Sequence, residues 1–316
     1  MIRDVIILVL AFIALFLGAE GLVRGSASLA LRLGLTPLVI GLTVVAFGTS
    51  MPELVVSIRA SLTNQGDIAV GNVVGSNIFN IGVILGLGAL ARPITVRWSV
   101  IRTDMPIMIG VSLLVLVLLQ GGGISRLPGL LLVIGLVAYI LLTVWQARRQ
   151  TSAAVEEEFA EGVPPRSASA YRDVLFIAGG LGLLVLAARF LVSSATTIAR
   201  GLGVSEAVIA ITIVAAGTSM PEFATSFVAA LRKKPDIALG NIIGSNIFNC
   251  LGILGVSAAI NPLRAPGITG LDLWVMVAFA ATLLPLLWTG RLLQRWEGGV
   301  LLSGYAVYLW TLWPSP

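Results

Sequence analysis

Apolar residues run along this chain in blocks of about 20, interrupted by short stretches that carry Arg, Asp, Gly or Pro. A block of that length crosses a hydrocarbon core of about 30 Å as a helix. The alternating segments of about ten residues that mark a membrane barrel are absent from the sequence. Block lengths and breaks predict ten helices. The first five cover roughly 5–24, 36–60, 68–90, 104–121 and 127–147; the second five cover roughly 173–192, 205–231, 237–260, 271–290 and 298–313. The first block follows a short charged start, as a signal peptide would, but its length and its counterpart later in the chain mark a retained helix.

Between the fifth and sixth blocks lies the one long polar stretch, ARRQTSAAVEEEFAEGVPPRSASAYRD. It reads as a linker over 151–172, dividing a first half (1–150) from a second (173–316). Its three consecutive glutamates, Glu156 to Glu158, could form a cation-sensing patch but read rather as part of a solvated or short helical linker.

The two halves are related. Gly48–Asn80 aligns with Gly217–Asn249 at a constant offset of 169 without a gap, and 20 of the 33 positions are identical. Helices two and seven are five crossings apart, so the copies enter the membrane from opposite sides. The expected fold is therefore an all-α integral membrane protein of ten transmembrane helices, arranged as two inverted-topology five-helix repeats. Secondary transporters have that architecture, with the substrate site near the midplane where the copies meet.

Composition agrees with a membrane protein: 57% hydrophobic residues, 11% charged, mean hydropathy +1.01. The single Cys250 excludes an intramolecular disulfide, and the absence of His removes the commonest transition-metal ligand and the usual catalytic base. A formal charge of +5 comes from arginines at helix ends and gives no reason to expect a nucleic-acid partner. Fourteen of the 20 Lys and Arg residues fall in loops after odd-numbered helices. That side should be cytoplasmic, which puts both termini outside a multi-pass protein surrounded by the lipid of the plasma (inner) membrane.

Each copy of the repeat opens on GTSMPE, Gly48–Glu53 and Gly217–Glu222. Pro52 and Pro221 lack an amide hydrogen and clash with the carbonyl four residues earlier, so each should kink its helix and free backbone oxygens near Thr49 and Thr218. Inside a membrane such oxygens need a partner, and a cation is one. Ser50 and Ser219 add hydroxyls beside the break; Glu53 and Glu222 add charge. Spacings of three and four put Thr49, Ser50 and Glu53 on one helical face.

The second motif is GNVVGSNIFN, Gly71–Asn80, matched by GNIIGSNIFN, Gly240–Asn249. Asn72, Ser76 and Asn80 stand at i, i+4 and i+8, as do Asn241, Ser245 and Asn249, forming a polar stripe on each helix. Gly71 and Gly75, like Gly240 and Gly244, have the spacing of close helix contact. Asn77 and Asn246 point away from the stripe and should tie neighbouring helices together. Asp67 and Asp236 read as N-caps, Glu206 as a cap, and Glu20 with Arg24 as an interfacial pair.

Every candidate ligand in this set is an oxygen, which suits Ca²⁺ or Na⁺ and not zinc or copper. A carboxylate at mid-membrane costs roughly 3 kcal/mol, so two of them call for compensation. One Ca²⁺, two Na⁺ or two protons would each neutralise the pair, and competition for the same charges is the physical basis of exchange. Neither copy is a site alone; the expectation is an ion between Glu53 and Glu222.

At these residues the chain resembles the sodium/calcium exchangers of the calcium/cation antiporter superfamily, whose paired inverted repeats carry G-T/S-S-x-P-E and G-S-N-x-x-N/D. The resemblance implies a prokaryotic-type antiporter without a regulatory domain, in which helices two, three, seven and eight enclose the ions and helices one and six slide across them. It implies Ca²⁺ ligands at Glu53, Glu222, Thr49 and Thr218. It implies Na⁺ ligands at Ala46, Ser50, Glu53, Ser76, Ala215, Thr218, Ser219, Glu222 and Ser245, with Asn80 and Asn249 completing the centre. Asn249 stands where some relatives, potassium-dependent ones included, have aspartate; an amide cannot carry that charge, which argues against potassium coupling.

The function expected is Na⁺/Ca²⁺ antiport with the ions as substrates, no cofactor and no protein partner. A Ca²⁺/H⁺ antiporter using the same glutamates is the nearest alternative. A channel is disfavoured because the site is assembled from two inverted copies in one chain, and an enzyme because no nucleophile and base pair is evident.

Overall fold

The computed structural model describes residues 2–148, 169–201 and 215–312. The linker apart from 169–172, the opening of the seventh expected helix (205–214) and Glu206 lie outside the described residues. Within them a helix overlaps every one of the ten expected stretches. They are α1 (Ile2–Leu33), a broken α2 (Pro37–Thr49, then Met51–Leu62), α3 (Gly66–Ala91), α4 (Val100–Gln120) and α5 (Arg126–Arg148), then α6 (Ala170–Gly201), α7 (Ala215–Thr218, then Met220–Leu231), α8 (Pro235–Ile260), α9 (Gly270–Trp288) and α10 (Arg295–Leu312). Seven of the described helices are long and apolar enough to cross a membrane, or eight if the two pieces of α2 form one bent span.

Two helices are longer than the pattern predicts. Both α1 and α6 run for 32 residues, and the basic residues in the extended part of α1 are paired. Arg24 donates to Glu20 on its own helix (2.6 Å), and Arg32 donates to the buried Asp173 at the start of α6 (3.0 Å). A paired arginine can stay on a helix that continues past it.

The chain packs as two compact units, Met1–Pro52 with Thr143–Asn241, and Glu53–Leu142 with Ile242–Pro316. Each draws on both sequence halves, and the boundaries fall inside α2, α5 and α8.

In the first unit α1 and α6 lie antiparallel in backbone contact. A Cβ on Gly180 would stand 2.7 Å from Gly18 O, and one on Gly25 2.8 Å from Asp173 O. Around this seam Leu15, Ala19 and Leu22 pack with Leu184, Ala187 and Leu191, joined by Ala224 and Val228 of α7 and by Ile40 and Val45 of α2. Burial of that apolar surface holds the unit together, at about 25 cal/mol per Å².

The second unit shows the repeat beyond the stretch where it is evident in sequence. A Cβ on Gly298 (α10) would stand 2.6 Å from Gly86 O (α3), and a Cβ on Gly129 (α5) 2.9 Å from Gly255 O (α8). The offset of 169 carries Gly86 onto Gly255 and Gly129 onto Gly298. It also carries Tyr139 onto Tyr308, and each of these hydroxyls donates to a buried aspartate, Asp104 (3.0 Å) and Asp272 (2.8 Å) respectively. Helix contacts made by α3 and α10 are thus repeated by α8 and α5.

Candidate functional site

Both GTSMPE segments interrupt their helices where the prolines predict. Ser50 (φ −82°, ψ 9°) and Ser219 (φ −86°, ψ 9°) leave the helical conformation, and Pro52 and Pro221 sit at the second position of the helix that restarts. A proline there costs no hydrogen bond, since the first amides of a helix have no intrahelical acceptor. Glu53 and Glu222 follow in the first turn and are each 1% exposed. That position is electrostatically favourable, because the positive end of the helix dipole stabilises a carboxylate.

In the first packing unit the break in one copy meets the carboxylate of the other. The Ser50 hydroxyl donates to Glu222 Oε1 at 2.8 Å, while Glu222 Oε2, also buried, has no hydrogen-bond partner among the described residues. Thr49 Oγ1 lies 3.0 Å from Asn241 Oδ1 and 3.1 Å from Val45 O. The amide nitrogen of Asn241 donates to Ser226 Oγ (2.8 Å) and to Glu222 O (3.4 Å), which turns Oδ1 toward Thr49.

The second unit repeats the last of these arrangements around Glu53. Asn72 donates to Ser57 Oγ (2.9 Å) and to Glu53 O (3.1 Å). Ser57 and Ser226 correspond at the offset of 169, as do Asn72 and Asn241. In each copy one asparagine anchors the glutamate's own turn through a buried serine. Sequence reasoning did not single out these two serines, although both are among the identical positions of the repeat.

Deeper in α3 and α8 four asparagines form a reciprocal set. Asn249 donates to Asn77 Oδ1 (2.9 Å) and Asn80 donates to Asn246 Oδ1 (3.0 Å). Asn77 donates in turn to Asn246 O (3.3 Å) and Cys250 Sγ (3.1 Å), so its amide cannot turn round without losing a backbone acceptor. That fixes the amides of Asn77 and Asn249 together. The buried Oδ1 atoms of Asn80 and Asn249 are left without a hydrogen-bond partner among the described residues, as is Ser245 Oγ. Such atoms are costly unless something coordinates them. The role expected of Asn77 and Asn246, tying α3 to α8, is what these bonds perform.

Of the other positions, Ser76 is buried in α3. Ala46 O accepts the Ser50 N–H (3.1 Å). Ala215 opens the described part of α7, and Thr218 stands before the break, half-buried. Two expectations are corrected. A Cβ on Gly240 would come within 2.9 Å of Leu38 O, a close backbone contact between helices, whereas one on its repeat equivalent Gly71 would meet only the Ile268 side chain (3.2 Å) and one on Gly75 nothing within 4 Å, so the glycine spacing does not mark the same packing in both copies. Asp67 does not cap α3, whose N-cap is Gln65; its carboxylate accepts Gly267 N–H (2.8 Å). Among the described residues no three His, Cys, Asp or Glu side chains gather as a metal cluster. A cation held here would depend on few carboxylates and many neutral oxygens, the ligand set of a hard ion.

Known proteins are similar to this chain in sequence and in fold. The model of the family described as sodium/calcium exchanger protein matches residues 4–145 and 173–313. The putative antiporter CaxA of Alkalimonas amylolytica is 38% identical over all of both chains. The sodium/calcium exchanger MaX1 of Methanosarcina acetivorans is 32% identical over 96% of this chain and 97% of its own. A solved structure of the sodium-calcium exchanger NCX_Mj, soaked with Na⁺ and Ca²⁺, superposes with a TM-score of 0.85 at 30% identity, covering 99% of this chain and all of the other. The chain is a multi-pass membrane transporter. It belongs to the sodium/calcium exchanger protein family.

Proposed function

We propose that this protein is a secondary active antiporter that exchanges Na⁺ for Ca²⁺ by alternating access, with Glu53 and Glu222 supplying the negative charge that the ions neutralise in turn. The observation that carries the reading is the state of Glu222: a buried carboxylate with one oxygen fixed by the Ser50 hydroxyl and the other without a protein partner among the described residues. A carboxylate so held stays charged only if a cation compensates it. Thr49, Thr218, Ser50, Ser76, Ser219 and Ser245, the carbonyls of Ala46 and Ala215, and the amides of Asn72, Asn80, Asn241 and Asn249 are the neutral oxygen ligands of this reading. Names borne by NCX_Mj and MaX1 support the choice of ions.

The repeat is read as inverted, with ten crossings and both termini outside. Support comes from the glycine contacts and the tyrosines, Tyr139 and Tyr308, that the offset of 169 maps onto one another, each tyrosine donating to a buried aspartate, and from the excess of Lys and Arg in loops after odd-numbered helices.

Proteoliposomes test the driving ion. An outward Na⁺ gradient should drive ⁴⁵Ca²⁺ uptake at constant pH. Uptake driven by a pH gradient in the absence of Na⁺ would instead assign the glutamates to H⁺ exchange, and unitary currents in a planar bilayer would assign them to a channel.

A further inference from the structure

In the second packing unit the loop after α3 and the loop after α9 are joined by two short strands, β1 (Ile94–Thr95) and β2 (Leu292–Leu293), with Ile94 opposite Leu293. Val96 N–H extends the pairing to Arg291 O at 2.8 Å. The same device recurs at the other end of α4, where Ile124 and Leu263 form an antiparallel bridge. The offset of 169 maps Ile94 onto Leu263 and Ile124 onto Leu293. Since α4 has 21 residues, the two pairings lie about 30 Å apart along it.

The two ends share a backbone arrangement but not a charge. Arg92, Arg97 and Arg102 flank β1, Arg291 and Arg295 flank β2, and no acidic residue occurs in 91–103 or 288–296. The carboxylates just beyond are buried and engaged: Glu297 accepts Gln294 N–H (2.7 Å) and Asp104 accepts the Tyr139 hydroxyl. At the Ile124–Leu263 end, 121–127 and 261–269 contain only Arg126 and Arg264. Because the pairing forms there without an arginine cluster, folding does not account for the cluster at β1–β2. Helix orientation does not account for it either, since orientation depends on the total charge difference and not on placing arginines of two separate loops beside one backbone pairing.

Aromatic rings place this end at a membrane surface. Trp98 and Trp288 meet edge to face with centroids 5.1 Å apart, and the Arg102 guanidinium lies 5.9 Å from the Trp98 ring centroid. Trp296 is 61% exposed beside Arg295. Tryptophan concentrates at headgroup depth, and the planar guanidinium fork matches a phosphate in two parallel hydrogen bonds.

We propose that the β1–β2 platform and the arginines Arg92, Arg102, Arg291 and Arg295 around it bind the headgroups of anionic phospholipids, holding this end of the unit against an acidic leaflet. The inference is independent of which ion drives transport.

Native mass spectrometry of the full-length protein released from detergent tests it, with phosphatidylglycerol and phosphatidylcholine as probes. Wild type should retain phosphatidylglycerol at least about threefold more tightly than phosphatidylcholine, as expected for clustered basic residues at a membrane surface. The double variant Arg291→Gln/Arg295→Gln should lose most of that preference, whereas Arg126→Gln/Arg264→Gln, which removes as much charge from the opposite pairing, should keep it. Thermal unfolding of the same samples identifies a variant that has lost its fold, in which case the single variants Arg102→Gln and Arg295→Gln carry the comparison. Equal retention of the two lipids by wild type, or equal loss in both double variants, overturns the proposal.

Discussion

Ser50 and Glu222 belong to different copies of the repeat, yet the Ser50 hydroxyl donates a 2.8 Å hydrogen bond to Glu222 Oε1 with both side chains buried. The bond aims one carboxylate oxygen and leaves the other available. Hydrogen bonds to charged groups contribute about 1.5–3 kcal/mol, so Ser50→Ala should raise the KM for the transported cation by roughly tenfold or more. Ser50→Thr, which keeps a hydroxyl, should recover most of the loss. Initial uptake rates against Ca²⁺ concentration measure both; an unchanged KM in Ser50→Ala would remove Ser50 from the site.

Ser57 and Ser226 hold Asn72 and Asn241 at 2.9 Å and 2.8 Å. Each alanine variant removes one of the two acceptors of that asparagine's amide nitrogen and should cost about 1–3 kcal/mol. Because the two serines are repeat equivalents, the losses should match within about 1 kcal/mol, as read by denaturant or thermal unfolding in detergent. A loss confined to one copy would show that the anchors are not equivalent.

The seam between α1 and α6 leaves no room for a methyl group. Gly180→Ala would place Cβ 2.7 Å from both Gly18 O and Leu22 N, and overpacking against backbone costs about 1–3 kcal/mol. Gly179→Ala, one residue away with nothing within 4 Å, should be neutral. A lowered Tm in the first variant alone is the expected outcome.

Lys234 sits in the turn between α7 and α8, where burial pushes its ammonium down to about 8; Glu20 opposes the shift, and Arg24 and Arg232 add to it. Between that value and the ordinary lysine value of 10.5, the unfolded chain keeps a proton that the folded chain has shed. Stability therefore rises with pH across this window, by roughly 2 kcal/mol once partial exposure is allowed for. Lys234→Met should lose that rise, which paired unfolding curves near pH 7 and pH 10 would detect.

Much of the site is legible in sequence because its devices are local. A proline four residues after a glycine must break a helix, and a carboxylate next to it must be compensated, so GTSMPE announces both the break at Ser50 and the burial of Glu53. The asparagine stripes are legible for the same reason. Ser57 and Ser226 are harder to see: each lies 15 residues from the asparagine that it anchors, and a serine in an apolar helix carries no signal until the two helices are laid side by side. The end of α1 is misread because an arginine in sequence looks like an interface, while Arg32 is neutralised by Asp173, 141 residues away. The pairings of Ile94 with Leu293 and Ile124 with Leu263 have no periodicity to betray them. They become recognisable once the offset found in the GTSMPE copies is applied to the whole chain.

The central claim is that Glu53 and Glu222 carry the transported cations. ⁴⁵Ca²⁺ uptake into Na⁺-loaded proteoliposomes, compared among wild type, Glu53→Gln and Glu222→Gln at matched protein incorporation, tests it most directly. The account predicts Na⁺-dependent uptake by wild type and a loss of at least about a hundredfold in each variant, the scale of removing one charged ligand from a buried site. Uptake by either glutamine variant at the wild-type rate would contradict it.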